Sequence, residues 1–346
     1  MKKFILFNLI ILQTIILNAQ SLITLEGLAG TTFHTSLPDA VEAAADGDII
    51  YIPGGNFSLG GAVGGFNIDK QIQIIGAGYN VDSSQATQIT SLDGTIYFAD
   101  GSSGSSLIGV NVTGEVYLGY SGFGIQADVS EIFLSRCKIP AIYFGVGVSI
   151  IENILVSECI FTNTGYNVNA SAGALNIVFS KNLFNGWIQG FNGLVTFSNC
   201  IFLSNYTLYI FNNVQNSTIE NCIFLKSVNN NFSSYGSNLF YNNIFVYATP
   251  NMTVDASNFL AVPQADIFVD QTGYIYNPDH NYQLQNDCVG VNSGNDGTDI
   301  GIYGTAEPFK DGGVPNNPHI QINSIGSSTN AEGDLPINIK VAAQDN

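Results

Sequence analysis

The side chains best suited to acid–base chemistry in this chain are few, and three of them recur at a regular spacing. Arg136, Glu158 and Lys181 each stand directly before a Cys or an Asn, and subtraction gives steps of 22 and 23 residues. If each step is one turn of a coil, the charges stack as plus, minus, plus, and an Arg or Lys base would lie beside an acid partner. The structural alternative is a surface charge ladder worth roughly 0.2–1 kcal/mol per pair. We favour this second interpretation.

The Cys and Asn residues that follow these charges occupy one slot of a longer repeat. We interpret the cysteines as buried free thiols that act as small hydrophobes. Disulfides between neighbouring coils are the alternative, because in-register Cα atoms would lie about 4.8 Å apart. No metal site is expected here, because no His shares the repeats, and Asn in the same slot can form a hydrogen-bonded ladder. The slot is occupied by Cys137, Cys159, Asn182, Cys200, Cys222 and Asn243.

Apolar residues keep fixed distances from this slot. The positions three before it and two after it are apolar in every copy, and the chain must bend between them if both are to point inward, because a strand alternates at period 2. Such repeats, without the 3.6 period of a helix, predict a stacked β-solenoid of roughly nine to eleven coils. The inward positions are Leu134, Val156, Phe179, Phe197, Ile219 and Phe240, and Ile139, Phe161, Phe184, Phe202, Phe224 and Phe245.

This pattern resembles the right-handed parallel β-helix of the pectate-lyase-like superfamily, of the secreted bacterial type. The resemblance covers residues 107 to 245 and implies an all-β fold. Two further segments resemble parts of these proteins: residues 36 to 48 the first coil with its short helical cap, and residues 296 to 304 the closing coil. The resemblance also implies where a site would lie, on the outward strand face after the Phe position. Lyases of the superfamily use an Arg or Lys base, often with calcium, and its glycosidases use paired carboxylates.

The outward positions after the Phe slot carry amides and aromatic rings but no charge. Aromatic rings stack on sugar faces and amides bond hydroxyl groups, so this face would suit a neutral glycan. An inert polar flank with chance aromatics is the alternative. The candidate ligand-binding residues are Tyr143, Trp187, Gln189 and Tyr209, with Asn167, Asn169 and Phe211 also placed outward, and we assign no catalytic residue.

The net charge of the chain limits which classes of partner it can bind. The formal charge is −18 and only 10% of residues are charged, which argues against nucleic acids and anionic membranes. A polysaccharide or cell-surface glycan remains compatible, and we expect a monomer. No cofactor is expected. Asp296 and Asp299 could suggest a calcium site, although an Asp-Gly-Thr-Asp turn is more often structural.

The chain order gives four segments. Residues 1 to 19 read as a signal peptide with an apolar run too short for a membrane span, which predicts a secreted protein at the periplasm, cell surface or exterior. A helix over 35 to 46 and a strand over 48 to 52 then open a β-helix extending to 305. Residues 306 to 318 have linker composition, and 319 to 346 predict a small β tail or cap with a hairpin of 320–325 and 335–341.

Two functions of different classes follow from these patterns. We favour a secreted, non-catalytic β-helix module that binds glycans or acts in surface adhesion. The alternative is a polysaccharide lyase or glycosidase whose site lies outside the regular coils, near Asp93, Asp100 or Asp255.

Overall fold

The structure, a computed structural model, is a right-handed parallel β-solenoid of about seven turns with 5% helix, which confirms the predicted fold class. The predicted signal peptide lies outside the described residues. Those residues are 22–60, 65–80, 88–145, 147, 149–170, 173–204, 209–227, 232–233, 237–315, 319–325, 328–330 and 332–342.

Three sheets, here named A, B and C, run along the solenoid and contain strands β1 to β29, numbered in chain order. Strands β30 to β33 form two separate two-stranded sheets. Sheet A contains β1 (Ile23–Gly27), β2 (Gly30–His34), β3 (Ile49–Tyr51), β6 (Gln73–Ile75), β9 (Ser106–Ile108), β12 (Val129–Ser130), β13 (Phe133–Ser135), β16 (Ile151–Ser157), β19 (Ala174–Ser180), β22 (Val195–Ser198), β25 (Thr218–Glu220) and β28 (Leu239–Tyr241).

Sheets B and C complete each coil. Sheet B contains β4 (Gly55–Ser58), β7 (Thr90–Asp93), β10 (Asn111–Val112), β14 (Lys138–Ile139), β17 (Ile160–Phe161), β20 (Leu183–Phe184), β23 (Ile201–Phe202), β26 (Ile223–Phe224) and β29 (Ile244–Phe245). Sheet C contains β5 (Phe66–Ile68), β8 (Ile96–Phe98), β11 (Val116–Leu118), β15 (Ile142–Phe144), β18 (Tyr166–Ala170), β21 (Trp187–Gln189), β24 (Phe211–Asn212) and β27 (Phe232–Ser233).

The predicted bend between sheets A and B is made by one residue in the left-handed region. The six residues before the Cys/Asn slot have φ between 52° and 56°. Asn tolerates this conformation better than most side chains, which explains why three of the six are Asn. All twelve predicted inward positions are at most 3% exposed. The bend therefore turns both apolar positions toward one core, as the spacing predicted.

Stacked phenylalanines form the centre of that core. Ring centroids of Phe202 and Phe224 lie 4.6 Å apart, and those of Phe224 and Phe245 lie 4.7 Å apart, with planes within 4° of parallel. Such rings add a stacking contribution to a burial worth roughly 1.5–3 kcal/mol each. The column predicted from the repeat is confirmed.

The slot itself is a buried polar ladder. Asn182 accepts a hydrogen bond from the backbone N–H of Cys159 at 2.8 Å and donates to the carbonyl of Val156 at 2.9 Å. Asn243 repeats this arrangement with Cys222 and Ile219. All five cysteines lie in the described part of the chain, where each is free and buried, so the thiol interpretation is confirmed over disulfides.

The N-terminal end is closed by a short antiparallel hairpin and a helix. Strands β1 and β2 pair with each other, and β1 pairs antiparallel with β3. Helix α1 (Leu37–Ala43) begins after Ser36, whose hydroxyl accepts the N–H of Asp39 at 3.2 Å. The predicted helical cap is therefore present, but shorter at both ends than the predicted 35 to 46.

The C-terminal part departs from the prediction. The parallel ladders end at β29, beyond which Phe259 adds an isolated parallel bridge to Ile244. The solenoid has about seven turns rather than the predicted nine to eleven. Instead the chain forms an antiparallel pair, β30 (Phe268–Asp270) with β31 (Asn281–Leu284), and then runs back along the solenoid. Two 3₁₀ helices, Gln264–Asp266 and Asp311–Gly313, lie in this part.

The returning segment, residues 293 to 315, is here named the strap, and it follows the bend residues in reverse order. The predicted closing coil (296–304) and most of the predicted linker (306–318) belong to it. The successive contacts along the solenoid are Asn242 with Ser293, Asn221 with Asn295, Asn199 with Gly301, Lys181 with Glu307, Glu158 with Lys310, and Arg136 with Val314.

Glycines in the strap allow this close approach. Gly313 has φ +64°, and a Cβ there would come within 2.2 Å of the Tyr79 ring. The composition that suggested a linker is thus explained by backbone packing against the coils. Beneath the strap, a second apolar cluster joins its buried side chains to the outer face of sheet B. That cluster includes Ile160, Leu183, Ile201, Ile223, Ile244, Ile300, Ile302 and Phe309.

The predicted hairpin after the strap is present. Strands β32 (His319–Ile325) and β33 (Ile337–Ala342) pair antiparallel as a two-stranded sheet of their own.

Candidate functional site

The outer face of sheet C brings together three of the four predicted ligand-binding residues. Tyr143, Asn169, Gln189 and Asn212 are in register on successive strands, and all four are half-buried. Period-2 alternation places them outward, because their strand neighbours such as Ile188 are fully buried. Sequence alternation therefore predicted the orientation of Tyr143 and Gln189 correctly.

The amides on this face form a ladder. Gln189 Nε2 donates to Asn169 Oδ1 at 3.0 Å, and Asn212 Nδ2 donates to Gln189 Oε1 at 3.4 Å. A primary amide has two N–H donors and two acceptor lone pairs. Gln189 uses one of each in the ladder, so a second donor and a second lone pair are available to a ligand hydroxyl.

Trp187 forms a second column beside the ladder. It lies two residues before Gln189 on β21, points outward, and is in register with Tyr166 of the preceding coil. The two rings meet edge to face, with centroids 4.6 Å apart and planes at 67°. Tyr166 is 37% exposed and Trp187 is half-buried, so the pair presents aromatic surface next to amide groups.

Three other residues that the sequence placed on this face differ from expectation. Tyr209 is half-buried but lies in the segment before β24 rather than on a strand. Asn167 is buried, because a register shift between Tyr166 and Val168 turns it inward. Phe211 is 1% exposed, because its coil reaches sheet C with a different connection length from the coil before it.

The structure adds a tyrosine cluster that the sequence reasoning missed. Tyr97, Tyr117 and Tyr143 stack face to face with centroids 4.9 and 4.6 Å apart, and Tyr120 packs at their side. An apolar–Tyr–apolar triplet occurs at 96–98, 116–118 and 142–144. That recurring triplet is a period-2 signal from which the column could have been predicted.

Glu115 fixes the hydroxyl groups of this cluster. Its carboxylate accepts hydrogen bonds from Tyr117 at 2.6 Å and from Tyr143 at 3.2 Å. Burial, followed by this carboxylate, raises the pKa of both phenols above the usual value of 10, and the same is true of Tyr97. The stacked rings cover one another's faces, so this column offers ring edges, and Tyr143, at its end, is in register with Asn169 of the next coil.

The charged triad is not a catalytic centre open to solvent. Arg136, Glu158 and Lys181 are each at most 9% exposed beneath the strap. Arg136 Nε lies 3.1 Å from Glu158 Oε2, while Lys181 donates to the carbonyl of Glu307. The favoured interpretation was wrong in one respect, since the ladder is buried rather than on the surface. Its role is to bind the strap.

The three carboxylates considered for a lyase or glycosidase site lie on different elements of the structure. Asp93 is on β7 in sheet B, Asp100 is in the turn after β8 in sheet C, and Asp255 follows β29 at the far end. In the described ranges, no group of three or more His, Cys, Asp or Glu is placed to hold a metal ion.

The Asp-Gly-Thr-Asp turn has internal partners for its carboxylates. Asp296 Oδ1 accepts from the N–H and hydroxyl of Thr298 at 3.0 and 2.7 Å, and Asp299 Oδ1 accepts from the N–H of Asn292 at 2.9 Å. These bonds are those of a structural turn in the strap.

Comparison of the chain with protein-family models and with curated protein sequences finds no match. Within the described ranges, the helices also lack the length and apolar character needed to cross a membrane. Fold and site geometry therefore carry the functional argument.

Proposed function

We propose that this protein is a secreted, non-catalytic β-helix module, related to the pectate-lyase-like superfamily, that binds a neutral glycan on the outer face of sheet C and acts in surface adhesion. The observation that carries the proposal is the amide ladder of Asn169, Gln189 and Asn212 beside the Trp187–Tyr166 pair. Its components are an aromatic surface for a sugar ring and amides for its hydroxyl groups.

The spacing of the groups supports an extended ligand. Successive coils of a β-solenoid are about 4.8 Å apart, so the ladder repeats its donors and acceptors at a constant step along the axis. A polysaccharide laid along that axis would meet the same chemistry at each coil. The strands under the ladder place Ile188 and Phe211 in the core, where they are at most 1% exposed, and groups held on packed strands lose little freedom on binding.

The electrostatics of the face fit a neutral partner. The ladder and the aromatic pair carry no charge. The carboxylate of Glu115, in the adjoining tyrosine cluster, already accepts hydrogen bonds from two phenols. The overall charge of −18 would repel a polyanion. We therefore expect an uncharged glycan to bind as a partner of the monomer, without a cofactor.

The test uses Trp187, which is the only tryptophan. A panel of neutral and acidic oligosaccharides is screened by tryptophan fluorescence of the unsubstituted protein. Binding to the variants is then measured by calorimetry, because Trp187→Ala removes the fluorophore, and this change is expected to weaken binding of the best neutral ligand by about 1–3 kcal/mol. Phe33→Ala, which removes a 63% exposed ring at the N-terminal hairpin, is the matched control and should bind normally. Equal binding by both variants would reject sheet C as the site.

The same panel examines the enzymatic alternative. Each oligosaccharide is incubated with the protein with and without calcium, and the products are analysed for cleavage. We expect intact ligand in every case. Depolymerisation would overturn the non-catalytic part of the proposal and direct attention to the carboxylates at Asp93, Asp100 and Asp255.

A further inference from the structure

A small cavity lies on a different side of the solenoid from the proposed glycan face. Its volume is about 200 Å³, and it sits where the strap and the segment around β31 meet the outer face of sheet B. Tyr276, Tyr282, Tyr303, His280 and Asp311 line it, together with apolar groups. The cavity can hold one small ligand or one group of the size of a side chain.

Hydrogen bonds hold the walls in place. The N–H of Tyr276 donates to Asn185 Oδ1 at 2.7 Å, which ties this wall to the buried residue after β20. The N–H of Asn277 donates to the hydroxyl of Tyr282 at 3.0 Å. On the other side, the N–H of Phe309 donates to the carbonyl of Ile302 at 3.0 Å. The cavity is therefore built from anchored backbone on both sides.

Its lining favours positive charge. Tyr276 and Tyr282 are stacked with centroids 5.9 Å apart, and the Tyr303 hydroxyl donates to Asp311 Oδ1 at 2.8 Å. Among the residues that line the cavity, Asp311 is the one carboxylate, and none is Lys or Arg. Aromatic faces attract cations through the ring quadrupole, and a carboxylate without a paired cation adds to that attraction.

A buried hydroxyl next to this cavity has no partner. Tyr79 is 4% exposed, and its hydroxyl has no hydrogen-bond partner within the described residues. Burial raises its pKa, and the nearby Tyr276 and Asp311, both of which line the cavity, raise it further. His280 Nδ1 is likewise buried and without a partner in the part of the chain that the structure describes. Buried polar groups are normally bonded, so a ligand in the cavity that donates to His280 Nδ1 would supply the bond that this lining residue lacks among the described residues.

We propose that this cavity binds a small ligand through a primary ammonium group, with Asp311 as counter-ion and the tyrosine rings around the cation. A primary ammonium has three N–H donors, which suits acceptance by the Asp311 carboxylate and by a phenol oxygen. A quaternary ammonium would use the rings but has no N–H to donate to Nδ1 of His280, which lines the cavity. The site does not depend on the glycan function.

The experiment compares charged probes with neutral ones of the same shape. Binding of n-butylammonium and of 1-butanol, and of D-glucosamine and D-glucose, is measured by calorimetry on the full chain at pH 7. We expect the ammonium member of at least one pair to bind and its neutral partner not to bind. The two pairs distinguish an alkylamine from an amino sugar as the carrier.

Substitutions then locate the site. Asp311→Asn is expected to weaken binding of the ammonium probe by about tenfold or more, because a charge-assisted bond is lost. Tyr276→Leu removes one ring and should weaken it by about threefold or more. Asp266→Asn makes the same charge change at an exposed position outside the cavity and should have no effect.

Three results would overturn the proposal: neutral probes that bind as well as ammonium probes, no binding of either ammonium probe, or binding that survives Asp311→Asn or Tyr276→Leu. The comparison of charged and neutral probes uses the unsubstituted protein, so it decides the question even if a variant fails to fold.

Discussion

The outer faces of sheets B and C belong to the same coils but differ in solvent exposure. On sheet B, the residue just after the Cys/Asn slot is Ile or Leu in five consecutive coils, and all five are 0% exposed because the strap and its neighbouring segment cover them. On sheet C, the outward residues are tyrosine and amides, and they remain half-exposed. Outward apolar side chains thus mark a face that the chain itself covers.

The comparison also concerns charge. Beneath the strap, Arg136 and Glu158 form an ion pair with side chains about one-tenth exposed. On sheet C, the single carboxylate of the tyrosine cluster, Glu115, is half-buried and bonds to hydroxyl groups. Similar residue types therefore contribute differently to stability on the two faces, and four experiments test this contrast.

The largest effect is expected for Glu158→Ala. This change leaves Arg136 buried without its carboxylate and removes the acceptor for the N–H of Lys310, which lies 2.9 Å away. Loss of one partner of a buried pair costs about 3–5 kcal/mol. Urea unfolding measures this loss in the free energy of unfolding. Glu115→Ala on sheet C is the control and should cost about 1 kcal/mol, and equal costs would contradict the contrast in burial.

Ile223→Ala should cost nearly as much, although Ile223 points away from the solenoid core. Its side chain is 0% exposed beneath the strap, and Ile→Ala at buried sites costs about 2–5 kcal/mol. The matched change on sheet C is Asn212→Ala, for which less than about 1 kcal/mol is expected. A cost below about 1 kcal/mol for Ile223→Ala in thermal or urea unfolding would show that the strap does not seal sheet B.

Alkaline pH should lower the free energy of unfolding. The larger part of this loss should come from tyrosines on the strap side of the solenoid. Burial raises the pKa of Tyr282 to about 12, above the usual tyrosine value of 10.0, so the unfolded state releases its proton first. Stability is then full below pH 10 and falls between pH 10 and about 12, by at most about 2–3 kcal/mol for this group.

The measurement is the urea midpoint at pH 9 and at pH 11.5. Tyr282→Phe should reduce the loss between these two values, and Tyr97→Phe on the half-exposed sheet C face should reduce it less. If both variants lose as much stability as the unsubstituted protein, tyrosine ionisation is not the cause.

The smallest effect on stability is expected for Gln189→Ala. The side chain is half-buried, and the two hydrogen bonds of its amide group, at 3.0 and 3.4 Å, face water. The loss in free energy of unfolding should therefore be within about 1 kcal/mol. Glycan affinity should fall more than stability, whereas Gln189→Asn should retain part of it. A loss of stability above about 2 kcal/mol would assign the ladder a structural role instead.

Much of the coil was predictable because its signals are local. Inward Phe224 and its counterparts follow from period-2 alternation and a bend, and Asn221 at that bend follows from its tolerance of the left-handed region. The same alternation gave the outward orientation of Tyr143 and Gln189. The column at Tyr97 and Tyr117 was equally open to this reasoning.

The repeat unit, with its strands, its inward residues and the residue type at its bend, can therefore be derived from the amino-acid order alone. The tertiary structure alone decided how the chain ends, because the strap contacts residues far away in sequence, such as Arg136 with Val314. No periodicity encodes such contacts. The apolar residues on the outer face of sheet B, such as Ile223, are buried only because residues 293 to 315 and the neighbouring segment pack over them.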